Sequence, residues 1–382
     1  MPSSSRRPSS RQMALGAAAG ALVVSLRALA RPLPVEERRL LDWETVRRVA
    51  KQRSGEVGPT DVSLMAQRLG AQYDEMAAEM APLMAEVVEA PVEGYPNFSV
   101  LDRHGFIDRN LVIVQRMLAP VERLRAQIPE SRATALSRTL LSRYIGELFG
   151  FLSRRVLGQY DPVLMLAPGA VDEPAAASAL YLVEPNVDLF ESRQDIPGPT
   201  LRRWLVLHEL THAWQFEAHP WLREHLGSMM RELLMEELVA QLEGDAQGGK
   251  PSSLQLVRTL PGQVRAQLRT VGRVQAVMSV AEGYSNYVMH QVGSRHLEDF
   301  ETLERAFHQR SAQRSPLERL VFKVTGMNMK MRQYELGERF AEQVVAQGGL
   351  SLLNRVWEGP EMMPSLEELE NPSRWVTRAR RG

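Results

Sequence analysis

The chain has 382 residues, 44% of them hydrophobic and 24% charged, a balance that supports a sizeable folded core and excludes a disordered protein. Its 46 basic and 46 acidic residues cancel, so no overall field draws it to nucleic acid. With no cysteine, it has no disulfide, thiolate metal site or cysteine nucleophile, and any metal must be held by His, Asp or Glu.

Residues 1–35 differ from everything that follows. Arg6, Arg7, Arg11, Arg27 and Arg31 occur among Ser and Ala, and no acid precedes Glu36. Met13 to Ser25 has the length of a signal-peptide hydrophobic region, and Ala28 to Ala30 offers small residues for cleavage, although Arg27 sits awkwardly before them. The apolar run is shorter than the ~20 residues that span a bilayer. Two readings stand: an exported or membrane-anchored protein with membrane contact through residues 1–35, or a cytoplasmic enzyme with a disordered extension. From residue 36 to 382 no Gly/Ser or Pro-rich tract divides the chain, and a single domain is expected.

Helical spacing then dominates. "VSLMAQRLGAQYDEMAAEMAPLMAEVV" and "ATALSRTLLSRYIGELFGFLSRRV" repeat apolar residues at intervals of three and four, as do "LERAFHQR" and "YELGERFAEQVV". Met65, Met76, Met80 and Met84 read as fillers of helix-helix gaps. Two short apolar segments, Val163 to Ala167 and Ala179 to Pro185, read as strands, and the stretch after Pro185 as a loop leading to a helix capped by Thr200. The fold class is therefore mainly α with a small β-sheet. Gly244 to Ser253 imitates a phosphate-binding loop, but Pro251 replaces the magnesium-binding hydroxyl and no strand precedes it, so it reads as a loop between helices.

The chemistry concentrates in "LHELTHAWQFEAHPWL", Leu207 to Leu222. His208 and His212, four apart on a helix, leave the same face and can converge on one ion, with Glu209 beside the first to take a proton from water. No charged residue lies between Leu205 and Trp214 apart from Glu209 and the two histidines, which suits a buried helix. A third histidine, His219, is out of register for the long three-histidine form, which needs glycine at 215 and histidine at 218, where this chain has Gln215 and Ala218. Next to Pro220, His219 should end the helix. The third ligand should then be a carboxylate from a later helix. Glu236 and Glu237 lie in a charged, solvated-looking stretch, whereas Glu282 is a lone acid among apolar and small residues, costly to bury unless paired or bound to metal. Gly283 after it permits close helix approach.

With these residues in place, the sequence resembles the zincin-like type 2 metallopeptidases, a family some of whose members are named for deazaflavin-coenzyme biosynthesis. The resemblance runs from about Leu41 to Arg378 through "LLDWETVRRVA", "VLGQYDP", "LYLVEPN", "HELTHAWQFEAHPWLREHL", "AEGYSNYVM", "KMRQYELGERF" and "PSRWVTR". It implies a zincin-like architecture with the motif helix beside a short sheet, one zinc ion on His208, His212 and Glu282, and Glu209 as general base. The expected activity is hydrolysis of a peptide or protein substrate, with a catalytically inactive binding scaffold and a hydrolase of non-peptide amides or esters as alternatives. Tyr181, Tyr284 and His290 are candidate substrate contacts. Tyr284, Tyr287, His290 and Arg332 are candidate oxyanion donors. Gln159, Tyr160 and Asp161 suit a turn or a cleft wall. The strand from Ala179 to Pro185 is expected to act as an edge that pairs with substrate backbone.

Overall fold

The computed structural model describes residues 39–55, 62–125, 132–161, 179–194, 196–246, 253–312 and 327–381. Their elements, in chain order, are α1 (Trp43–Ser54), α2 (Val62–Val88), β1 (Phe98–Leu101), α3 (Arg103–Arg125), α4 (Arg132–Ser153), β2 (Gly158–Tyr160), β3 (Leu180–Val183), α5 (Glu184–Gln194) and α6 (Gly198–Glu217). Then follow α7 (Pro220–Ala246), α8 (Ser253–His296), α9 (Phe300–Ala312), α10 (Met327–Asn354), a 3-10 turn (Arg355–Trp357), α11 (Leu366–Glu370) and α12 (Pro372–Ala379). The chain is mainly helical with one small three-stranded sheet, as its periodicity predicts. No helix of the described residues is long and apolar enough to cross a membrane. Residues 1–35, the expected strand from Val163 to Ala167 and most of the glycine-rich loop after Gly244 lie outside the described residues.

The chain divides into two compact units. The first gathers Met1–Gly55, Val114–Phe151 and Leu234–Leu268. Here Asp42 caps α1, its carboxylate accepting from the Thr45 backbone N–H at 3.2 Å and hydroxyl at 2.5 Å. Gly146 and Gly150, one turn apart on α4, let α1 approach closely: a Cβ on Gly146 would lie 2.7 Å from Val49 Cβ.

The second unit, Glu56–Ile113, Leu152–Leu233 and Arg269–Gly382, holds the sheet and the motif helix. Strand order is β1-β3-β2, with β1 parallel to β3 (Phe98↔Leu180) and β2 antiparallel to it (Gly158↔Leu182). The expectation that the Ala179 to Pro185 strand is an edge is therefore corrected: β3 is central, and neighbours on both sides occupy the backbone groups an added strand would need. All four β3 residues are fully buried. Its leucines belong to the core shared with α2 and α6. Ser99, Tyr181 and Gln159, paired across the ladder, fall on the other face by strand alternation.

Two local expectations also change. The stretch after Pro185 is not a loop but helix α5, because proline is tolerated in a first turn and Val187 and Phe190 supply a buried side. Glu184, Asp188 and Glu191 share a face of that helix, and Arg202 on α6 binds all three at 2.5–2.7 Å. Nor does Thr200 cap α6. The helix starts two residues earlier, after Pro197, with Pro199 in its first turn, and Thr200 is inside it. At its other end α6 stops at Glu217, and Pro220 opens α7, leaving His219 between the two helices. Met80 and Met84 are buried in the core and Met76 packs against it, as predicted. The Met65 side chain lies outside the description.

Candidate metal centre

Helix α6 is buried along nearly its whole length, with Leu205, Val206, Leu207, Leu210, Ala213 and Trp214 almost free of solvent. Burial on all but the partly exposed face of the two histidines is why its motif carries no ordinary surface charge. His208 and His212 leave the same face, their rings 4.6 Å apart and nearly perpendicular. Helix α8 brings Glu282 to them. One ligand atom from each of His208, His212 and Glu282 lies within 4.8 Å of the other two, and His212 Nε2 is 3.5 Å from Glu282 Oε2. Donors bound at ~2.0–2.2 Å in a tetrahedral array stand about 3.3–3.6 Å apart, so this pair already has the separation a shared ion requires. Two imidazole nitrogens and one carboxylate oxygen are the donor chemistry of a hydrolytic zinc site. The residues fit the ion.

Glu282 is 6% exposed, between Ala281 and Tyr284, which are also buried. A carboxylate in such surroundings is costly without a cationic partner. Its position depends on glycine. Helices α8 and α10 cross so closely that a Cβ on Gly283 would lie 2.0 Å from the Gly337 carbonyl carbon, and one on Gly337 1.8 Å from the Ser279 oxygen. The close approach read from Gly283 is present, and its counterpart is Gly337.

Both histidines are held from behind. His208 Nδ1 is 3.2 Å from Ser285 Oγ and 3.0 Å from Met289 Sδ, and its ring lies parallel to Trp204 at 5.9 Å. His212 Nδ1 is 3.0 Å from Gln215 Oε1. Burial alone would depress the His212 pKa, but the Glu282 carboxylate against its ring, with Glu209 and Gln215 adding to it, holds it above the ordinary value.

Glu209 is 4% exposed and lies against the sheet. A Cβ at Gly158, on edge strand β2, would lie 2.9 Å from Glu209 Oε1 and 2.4 Å from Leu182 Cδ2. Glycine at that position leaves the room the carboxylate fills.

The remaining candidates are not gathered here in the same way. Tyr284 is a core aromatic, stacked on Trp214 at 5.8 Å, with its hydroxyl donating to Asn354 Oδ1 at 2.8 Å. The His290 side chain is about half exposed and sits 3.3 Å from Glu304 on α9. Tyr181 is fully buried under α3, its hydroxyl accepting from Asn110 at 2.9 Å and its ring facing the Arg109 guanidinium at 4.8 Å. Gln159 and Tyr160 form strand rather than turn, and Tyr160 donates to Glu217 at 2.8 Å. Tyr287 is partly buried beside the core. The side chains of Glu236, Glu237 and Arg332 lie outside the described residues. Sequence reasoning missed Gln215, Ser285, Gly158 and Gly337, whose contacts with Ala281, His208, Glu209 and Ser279 arise only when distant segments meet.

A buried helix with two histidines one turn apart, an intervening glutamate and a carboxylate delivered by a later helix form, beside a small sheet, a group that could hold a metal ion. The chain belongs to the zincin-like metallopeptidase family, a family of metal-dependent hydrolases, whose model matches residues 41–376. It is also similar to a crystal structure from Chloroflexus aurantiacus described as "a putative hydrolase with a novel fold". The two share 32% sequence identity at a TM-score of 0.65, over 90% of this chain and 99% of that one. No curated protein matches the chain at a comparable level.

Proposed function

We propose that the protein is a zinc-dependent peptidase in which His208, His212 and Glu282 hold the ion and Glu209 is the general base. The observation that carries this reading is a buried glutamate placed between two histidines that converge with Glu282. A purely structural metal site needs ligands but no such base. When bound, zinc supplies a Lewis acid that polarises the scissile carbonyl and brings the pKa of water towards ~7. Glu209, confined against Gly158, accepts a proton from the attacking water and returns it to the leaving amine. Trp204 and Ser285 limit rotation of His208, and Gln215 limits that of His212. The sheet edge beside Glu209 is β2, not β3, so an extended substrate backbone is expected to pair along Gly158–Tyr160.

The test combines metal analysis with cleavage of a peptide library by wild type and Glu209→Gln. Wild type should carry one zinc per chain and cleave peptides. The variant should keep the zinc and turn over about 10²–10⁴-fold more slowly, the usual share of a general base. A wild-type protein without zinc, or equal turnover by both proteins, refutes the proposal.

A further inference from the structure

We infer that Gln215 is a positioning residue, which dictates the nitrogen that His212 offers to the metal and registers Glu282 beside it. The inference rests on the metal-centre reading above and adds a residue outside the ligand set. Gln215 lies three residues after His212 and is fully buried. Its amide spans two elements: Nε2 donates to the Ala281 carbonyl on α8 at 2.9 Å, and Oε1 stands 3.0 Å from His212 Nδ1 on its own helix.

The orientation of that amide follows from chemistry. A backbone carbonyl only accepts, so the amide atom facing Ala281 must be the NH2 group. The oxygen is then forced to face His212, and since an amide oxygen also only accepts, Nδ1 must carry a hydrogen. In a neutral imidazole the lone pair is left on Nε2, the nitrogen 3.5 Å from Glu282 Oε2. Turning the amide over would set two acceptors against each other at Ala281 and demand the other tautomer of His212. Ser285, the neighbour of His208, exerts no such control, because a hydroxyl can donate or accept. One buried amide therefore transmits the fixed polarity of a carbonyl on α8 to a ring on α6. The next residue after that carbonyl is Glu282, so the same contact holds the third ligand in register with the second.

The experiment measures zinc affinity of the full chain by chelator competition for wild type, Gln215→Met and Gln215→Glu, alongside unfolding of the zinc-free proteins. Gln215→Met fills similar volume with no donor and only a weak thioether acceptor and should lose about 10–100-fold in zinc affinity, the usual effect of removing a partner that orients a ligand. Gln215→Glu keeps an acceptor facing Nδ1 but sets its second carboxylate oxygen against the Ala281 carbonyl, so it should bind zinc more tightly than Gln215→Met while its zinc-free form unfolds more easily than wild type, a split that a merely space-filling role would not produce. Ring nitrogen NMR of the wild-type zinc complex gives a second, variant-free readout, with His212 expected to be protonated at Nδ1 and coordinated through Nε2. Coordination through Nδ1, or a folded Gln215→Met protein that binds zinc as tightly as wild type, overturns the inference while leaving the metal centre standing. A wild-type protein that binds no zinc overturns both.

Discussion

Glu209 has a neighbour whose size governs where its carboxylate can rest. Adding one methyl at Gly158 would put an atom 2.9 Å from Oε1 and another contact at 2.4 Å on Leu182, which is itself buried and cannot retreat into solvent. The carboxylate must therefore shift, and misplacement of a catalytic group by about 1 Å can cost 10²-fold in rate. Gly158→Ala is expected to lower turnover of a cleavable peptide by up to about that factor while zinc content, measured by metal analysis, stays at the wild-type level. Loss of zinc instead would show that Gly158 serves the ligands rather than the base. The residues that announce themselves in the sequence do so through local rules: His208 and His212 by helical spacing, Glu209 by its place between them, and Glu282 as a lone acid in an apolar run. Gly158 has no such signal, and Gln215 has only its place three residues after His212. Glu209 is 51 positions from Gly158 and Ala281 is 66 from Gln215, and nothing around either residue indicates those contacts.

Helices were legible where one face repeats, and α2 and α10 follow the spacing of their apolar residues. The strands β1 and β2, four and three residues long, are too short for alternation to be read against background. Helix α5 was hidden by Pro185, although its three acids at helical spacing carried the signal that Arg202 answers. At this scale the contact between α8 and α10 is the most exacting feature, because backbone meets backbone and no side chain can yield. Gly337→Ala should push α10 away from Ser279 and disturb the helix turn that carries Glu282. Overpacking of this kind usually costs about 1–3 kcal/mol, so thermal unfolding of the variant should occur at lower temperature and its zinc affinity should fall with it. Further along, α11 is capped by Ser365, whose backbone N–H donates to Glu368 while its hydroxyl accepts from the Glu368 N–H. Partial burial of Glu368 favours its neutral form, but the Arg378 guanidinium bound to both carboxylate oxygens, with Ser365 adding to it, holds its pKa below the ordinary 4.5. A carboxylate with a depressed folded pKa contributes stability above its unfolded value, and that contribution is lost as pH falls through the folded one. Glu368→Gln should accordingly lower the melting temperature at pH 7, and the gap to wild type should narrow as the solution is acidified below about 4.5.

For the whole molecule, composition and periodicity conveyed a mainly helical protein with a minor sheet, but not the strand order. Whether β3 is an edge or a centre depends on β1, more than 75 residues earlier in the chain, and that pairing leaves no local trace. The same long-range assembly determines where a metal would stabilise the protein. His208, His212 and Glu282 all belong to the second compact unit, and they join α6 to α8, two segments that are remote in sequence. An ion that binds only the folded state stabilises it by about 2.7 kcal/mol when its free concentration is a hundred times its Kd. Because the ligands span α6 and α8, this stabilisation must appear in any local opening that separates those helices, but not in fraying of α1, which supplies no ligand. Hydrogen exchange with and without a chelator should therefore show faster exchange after zinc removal along Leu205–Gln215 and around Glu282, with α1 unchanged. Uniform acceleration across the chain would mean that the metal reports only on global unfolding. No change in either segment would mean that no ion joins them.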